Sequence, residues 1–167
     1  MALFHGDEDI LQILTVSFLL ENGMQQFYEK ASVKASYPSA AKTFETLSKV
    51  EDKHMLNIFN LYSGLTEEKA LTIDEFKARM KSDIMEGGGT VLQGLAKAEN
   101  VDFTNIKEVL DFALEREQES FDFYSANAKA ASESGAKVLF NELAESEAHH
   151  IAIIKKELTA MTSSVYR

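Results

Sequence analysis

Cysteine and tryptophan are absent from the chain, and proline occurs once. Without a thiol the chain can form neither a disulfide nor a cysteine-ligated zinc or iron–sulfur site. The lack fits a reducing cytoplasm, which is the location we expect. One proline and eight glycines in 167 residues leave few places for the backbone to turn, so long uninterrupted helices are expected. Positive charge is scarce too. Lys and Arg number 17 against 27 Asp and Glu, a net charge of −10, and no basic surplus remains to hold a nucleic-acid backbone. Long apolar runs are also missing. ILQILTVSFLL at residues 10–20 has the composition of a signal-peptide core, but Asp7, Glu8 and Asp9 precede it where lysines would be needed, and no small-residue cleavage site follows. It is too short to cross a bilayer, so we read it as the start of a buried helix and expect no membrane partner.

What is present is 45% hydrophobic and 26% charged, the range of a soluble globular protein, in a length that suits one domain over residues 1–167. Four segments carry a helical period. The first, Asp7 to Ser32, aligns Ile10, Leu14, Ser17, Glu21, Tyr28 and Ala31. The second opens at Pro38, a residue suited to a first helical position, and aligns Phe44, Leu47, Glu51, His54, Ile58 and Leu61 as far as Tyr62. The third follows Thr104, a residue suited to a cap, and aligns Leu110, Leu114, Glu117, Phe121, Tyr124 and Ala128. The fourth follows the SESG break and aligns Phe140, Leu143, Glu147, His150, Ile154 and Met161. At 1.5 Å per residue each is roughly 35–40 Å long. Helical hairpins over 7–62 and 104–161, joined by a crossover over 63–103, give an all-α, four-helix bundle with one long connection.

Within the crossover, TIDEFKARM has the Thr72/Glu75 pattern of a capping box and reads as a short helix. TVLQGLAKAE reads as another. The glycines at 87–89 lack the preceding strand and following Lys-Ser/Thr of a phosphate cradle, so they read as a hinge.

The two hairpins repeat one another at an offset of 96. Glu21, Tyr28, Glu51 and His54 map onto Glu117, Tyr124, Glu147 and His150, while Phe27, Phe44 and Leu47 map onto Phe123, Phe140 and Leu143. Each half thus holds a Glu, a Tyr seven residues on, and a Glu-x-x-His thirty residues after the first Glu. All lie on the stripes that should be buried. A carboxylate in an apolar seam costs several kcal/mol unless its charge is offset, and four together raise one another's pKa. Two divalent cations would cancel four negative charges and leave two neutral imidazoles to complete the coordination. Glu and His three apart project from one helix face and can reach one ion. Oxygen-rich donors with one nitrogen per metal suit iron or manganese; zinc, without a thiolate, is less suited. His149 points about 100° away from His150, towards Glu145 and Ser146, and is expected to be exposed or outside the ligand shell. Tyr28 and Tyr124 lie two turns from a ligand on the same face and can hydrogen-bond a liganding carboxylate or serve as core aromatics. Glu115 and Glu119 share a polar face with Asp111, Gln118 and Asp122 and read as solvated. His5 has no role.

Taken with their spacing, Glu21…Tyr28, Glu51-Asp-Lys-His54, Glu117…Tyr124 and Glu147-Ala-His149-His150 closely resemble the ferritin-like di-iron carboxylate proteins of the rubrerythrin and bacterioferritin branch, over all four long helices. The resemblance implies that Glu51 and Glu147 bridge two irons, that Glu21 and Glu117 are terminal ligands, and that His54 and His150 each supply one nitrogen. Two departures stand out. Rubrerythrins typically carry a further glutamate one turn after the third-helix ligand, where this chain has Ser120. They also often carry a rubredoxin module with paired Cys-x-x-Cys, and no cysteine occurs here. The six-ligand set is nearer to bacterioferritin, and an electron donor, such as a rubredoxin, would be a separate protein.

Three functions follow as expectations. The first is a di-iron oxidoreductase reducing hydrogen peroxide or dioxygen. The second is a ferroxidase, with Fe(II) as substrate. The third is a non-catalytic bundle, binding metal or holding its glutamates protonated or paired. Manganese or zinc are alternative occupants. Leu11, Ile13, Val16, Leu19 and Leu20 widen the apolar surface of the first helix beyond a four-helix core's needs, so a homodimer packed through this helix is expected.

Overall fold

In the computed structural model, residues 8–66, 71–83 and 89–163 are described. They form α1 (Glu8–Lys34), α2 (Pro38–Leu65), α3 (Ile73–Asp83), α4 (Gly89–Ala96, continuing as a 3-10 turn over Lys97–Asn100), α5 (Ile106–Ala130) and α6 (Ser134–Thr162). No strand occurs among the described residues. His5, Gly87 and Gly88 lie outside them, and Gly89 opens α4.

The helix ends follow local chemistry. Pro38 takes the first position of α2, where its missing N–H would have had no partner anyway. Thr72 and Glu75 form the reciprocal box at the head of α3: the Thr72 N–H donates to Glu75 Oε2 at 2.7 Å, and the Glu75 N–H to Thr72 Oγ1 at 3.2 Å. At α5 the cap is Asn105, whose side chain accepts from the Glu108 N–H, not Thr104. Thr104 turns back instead, its hydroxyl donating to Asp102 Oδ1 at 2.7 Å. An amide oxygen caps better than a threonine hydroxyl, and Asp102 competes for the hydroxyl. Glu133 caps α6 by accepting from the N–H groups of Gly135 and Ala136.

Helix α1 packs along α2, and α5 along α6, each pair joined by a three-residue loop; α2 also meets α6, and α4 lies across α1 and α5. The core falls into two clusters. One gathers Leu14, Phe18, Met55, Ile58, Tyr124, Phe140 and Leu143 with Phe76 and Met80 of α3. The other gathers Met24, Phe27, Tyr28, Phe44, Leu47, Leu110, Phe112 and Ile154. In all four long helices the Glu and His residues sit between the parts assigned to these clusters, so a polar layer divides an apolar bundle. The offset of 96 exchanges the clusters: Tyr28 and Phe44 stack in one, Tyr124 and Phe140 in the other, at centroid distances of 6.1 and 6.2 Å. Two hairpins related by a pseudo-two-fold axis across the bundle produce this pattern.

The 10–20 run lies within α1, with Ile13, Leu14, Phe18 and Leu20 buried in the chain itself. Phe76 of α3 meets Phe18 edge-on at 4.9 Å. Part of the breadth that suggested a second subunit is therefore covered by the crossover, while Leu11, Val16 and Leu19 stay half-buried. No helix among the described residues is long and apolar enough to cross a membrane.

Candidate metal centre

Six side chains meet in the polar layer. Glu21 comes from α1, Glu51 and His54 from α2, Glu117 from α5, and Glu147 and His150 from α6, and none is more than 7% exposed. They form two overlapping groups, Glu21, Glu51, His54 and Glu147, and Glu51, Glu117, Glu147 and His150. In each group the donor atoms lie within 4.8 Å of one another. Glu51 and Glu147 belong to both.

The distances suit a cation better than hydrogen bonds. Around His54 Nδ1 stand Glu21 Oε2 at 2.7 Å, Glu51 Oε2 at 2.9 Å and Glu147 Oε1 at 3.6 Å. One ring nitrogen carries at most one hydrogen and cannot serve three carboxylates. Around His150 Nδ1 stand Glu51 Oε1 at 3.2 Å, Glu147 Oε2 at 3.3 Å and Glu117 Oε2 at 3.5 Å. Yet both His150 nitrogens, Glu51 Oε1 and Glu147 Oε1 are buried without a hydrogen-bond partner. Buried polar atoms are otherwise almost always partnered. Two sets of three carboxylate oxygens and one imidazole nitrogen, converging with lone pairs unspent, fit a pair of divalent ions of the oxygen-preferring kind.

Glu117 and Glu21 are held from outside. The Tyr28 hydroxyl donates to Glu117 Oε1 and the Tyr124 hydroxyl to Glu21 Oε1. Each carboxylate thus spends one oxygen on a phenol and turns the other to a histidine. Both bonds cross between the hairpins, so each tyrosine partners the glutamate of the opposite half, not the one on its own helix face.

The crowding of buried charges favours protonation at several groups of the layer. Burial, with the charges of Glu117 and Glu21, pushes Glu147 well above the ordinary carboxylate range; burial and Glu21 raise Glu51. Burial would raise Glu21 too, but its contact with His54 holds it low. Burial would depress His54, yet Glu21 and Glu51 outweigh it and push the imidazole up to about 10. Burial likewise opposes protonation of His150, which Glu117, Glu147 and Glu51 drive upward. Burial and the facing carboxylates raise both tyrosines. These protons occupy the electrostatic role that metal ions would take over.

Two neighbours escaped the helical pattern. Arg116 is 3% exposed although it adjoins Glu117 in sequence. Its guanidinium turns outward to Glu115 Oε1 at 2.6 Å and Glu119 Oε2 at 3.0 Å, 5.3 Å above the Phe112 ring. Glu119 is accordingly half-buried and ion-paired, not simply solvated as its polar face suggested; Glu115 is exposed. The pair sits under α4, whose Gly94 approaches so closely that a Cβ there would fall 1.4 Å from Arg116 Nη1. A Cβ at Gly23 would likewise fall 2.1 Å from Leu95 Cδ2. Ser146 is the other: its Oγ lies 2.9 Å from His54 Nε2. His149 is exposed. Ser120 is buried one turn beyond Glu117.

Neither the curated proteins nor the solved structures yield a match. The profile of the rubrerythrin family, by contrast, matches residues 12–158, a span that takes in all six converging side chains, and the chain belongs to that family.

Proposed function

We propose that this chain is a non-haem di-iron redox protein that reduces hydrogen peroxide or dioxygen with electrons from a separate donor protein such as a rubredoxin. The observation that carries the reading is the pair of overlapping three-carboxylate, one-imidazole groups that share Glu51 and Glu147. Glu21, Glu51, His54 and Glu147 would hold one iron, and Glu51, Glu117, Glu147 and His150 the other. When bound, the two ions supply one electron each, the number that reduction of peroxide to water requires. The phenols of Tyr28 and Tyr124 fix one oxygen of each terminal carboxylate and aim the other at the centre. The apolar clusters on either side keep bulk water from the layer, which strengthens every charge interaction inside it.

Anaerobic loading with Fe(II), then stopped-flow mixing with peroxide or dioxygen, is expected to give a rapid ferric absorption change. Two bound irons inert to both oxidants would refute the proposal. A second reading, ferroxidase activity on Fe(II) as substrate, is favoured by Ser120, which leaves a six-ligand set without a further carboxylate. Oxidation of many Fe(II) per chain would select it. Manganese or zinc in protein purified without added metal, with no oxidant reaction, would select a non-catalytic bundle. A homodimer through the half-buried Leu11, Val16 and Leu19 belongs to the same proposal, as does a cytoplasmic location; a monomeric mass by light scattering at micromolar concentration would remove the dimer.

A further inference from the structure

The repeat at offset 96 matches the two halves ligand for ligand, so any departure from it near the ligands distinguishes one ion position from the other. One such departure touches a ligand directly. His54 Nε2, the ring nitrogen turned away from the carboxylates, lies 2.9 Å from Ser146 Oγ. His150 Nε2 is buried with no hydrogen-bond partner. The position 96 residues before Ser146 is Val50, whose side chain has no atom that can accept a hydrogen bond. The serine is thus present on one side of the pseudo-two-fold and replaced by an apolar residue on the other.

The difference has a physical consequence. An imidazole that ligates through Nδ1 carries its hydrogen on Nε2. A hydroxyl that accepts this hydrogen fixes the tautomer, pins the ring's rotation and makes Nδ1 a better donor. For His54 all three come from Ser146, reaching across from α6 to a ligand on α2. For His150 none does, and its N–H must enter the site unpaired.

We infer that the two ion positions are unequal. The position built on His54 holds its ion tightly because Ser146 orients that ring, and the position built on His150 is the weaker and exchangeable one. Ser146 is then a positioning residue, acting on the metal only through His54. The inference rests on the di-metal reading above and deepens it: one ion stays as a resident cofactor while the other can leave and be replaced by free divalent cation.

Titration of the metal-free chain with Co(II), followed by visible absorption, tests this without turnover. Two binding steps are expected, about 10- to 100-fold apart in affinity, the range in which outer partners of a ligating histidine act. His150→Ala should keep the tight step, and His54→Ala only the weak one. Ser146→Ala should weaken the tight step by about 10- to 100-fold and shift its visible bands, and Ser146→Thr should restore both. Ser146 is half-buried and mid-helix, so alanine there favours the helix, and unchanged circular dichroism confirms the fold. Val50→Thr should tighten the weak step. Two steps of equal affinity, or a tight step indifferent to Ser146→Ala, would overturn the inference while leaving the di-metal reading intact. Failure to bind Co(II), Mn(II) or Fe(II) at either position would overturn both.

Discussion

Replacing Glu147 by glutamine should stabilise the metal-free protein and weaken the loaded one. Glu147 is 1% exposed, and burial together with Glu117 and Glu21 holds its carboxyl well above the usual range. In the unfolded chain the same group is ionised at pH 7. Folding without metal therefore favours uptake of a proton, at a cost that rises by at most about 1.4 kcal/mol for each pH unit above the unfolded value of about 4.3. At pH 7 that sets a ceiling of about 4 kcal/mol. Glutamine has nothing to protonate and escapes the cost. The sign follows from the folded state favouring the extra proton: wild-type stability without metal falls as pH rises through the window above about 4.3, and the advantage of Glu147→Gln grows over the same window. With metal present the order reverses, because a carboxylate shared by both groups is lost. Urea unfolding of chelator-treated protein at pH 5.5 and pH 7.5, repeated with Co(II), measures all four combinations. A substitution that destabilises the metal-free chain at pH 7.5 as much as the loaded one would refute the reasoning.

Metal binding should release protons, since burial of His54 is outweighed by Glu21 and Glu51, which push it up to about 10, while it must be neutral to ligate. Calorimetry in buffers of different ionisation enthalpy should count at least one at pH 7, with affinity rising about tenfold per pH unit for each proton; a count of zero contradicts the site's electrostatics. Tyr28→Phe leaves Glu117 Oε1 without its donor. Removing a buried partner of this kind costs about 1–3 kcal/mol, seen as weaker Co(II) binding at the His150 position, and unchanged binding would mean the phenol does not orient Glu117. Gly94→Ala places a Cβ 1.4 Å from Arg116 and must break its pairing with Glu119. It should destabilise by about 1–3 kcal/mol, whereas Gly64→Ala, on exposed helix with nothing within 4 Å, should stabilise by about 0.5–1 kcal/mol. Thermal melts giving both the same sign would show that α4 is not seated on Arg116.

The six converging residues could be found in the sequence because each departs from an apolar stripe at a fixed interval and repeats at a fixed offset. Helical periodicity tells which way a side chain points from its own helix, and Glu21, Glu51, His54, Glu117, Glu147 and His150 all point inward. It does not tell what stands opposite. Tyr28 shares a face with Glu21, yet its partner is Glu117, because the hairpins pack so that each tyrosine crosses to the other half. Ser146 lies off the stripe, beside the exposed Glu145, and only the approach of α2 to α6 brings it to His54. Arg116 lies off the apolar stripe, and it is buried beneath α4, a helix that approaches closely at Gly94 and, through Leu95, at Gly23. The replacement of Thr104 by Asn105 at the head of α5 is the usual one-residue ambiguity between adjacent capping residues.

Neither hairpin owns a full coordination set: the group around His54 borrows Glu147, and the group around His150 borrows Glu51. Cohesion between the halves, to which both apolar clusters contribute, and the capacity to hold cations are accordingly linked. Prising the hairpins apart would dismantle both groups at once, and an occupied layer would act as a rivet through the middle of the bundle. After cleavage of the crossover, the difference in the fragments' residence time with and without added cation would report on how firmly the layer grips it.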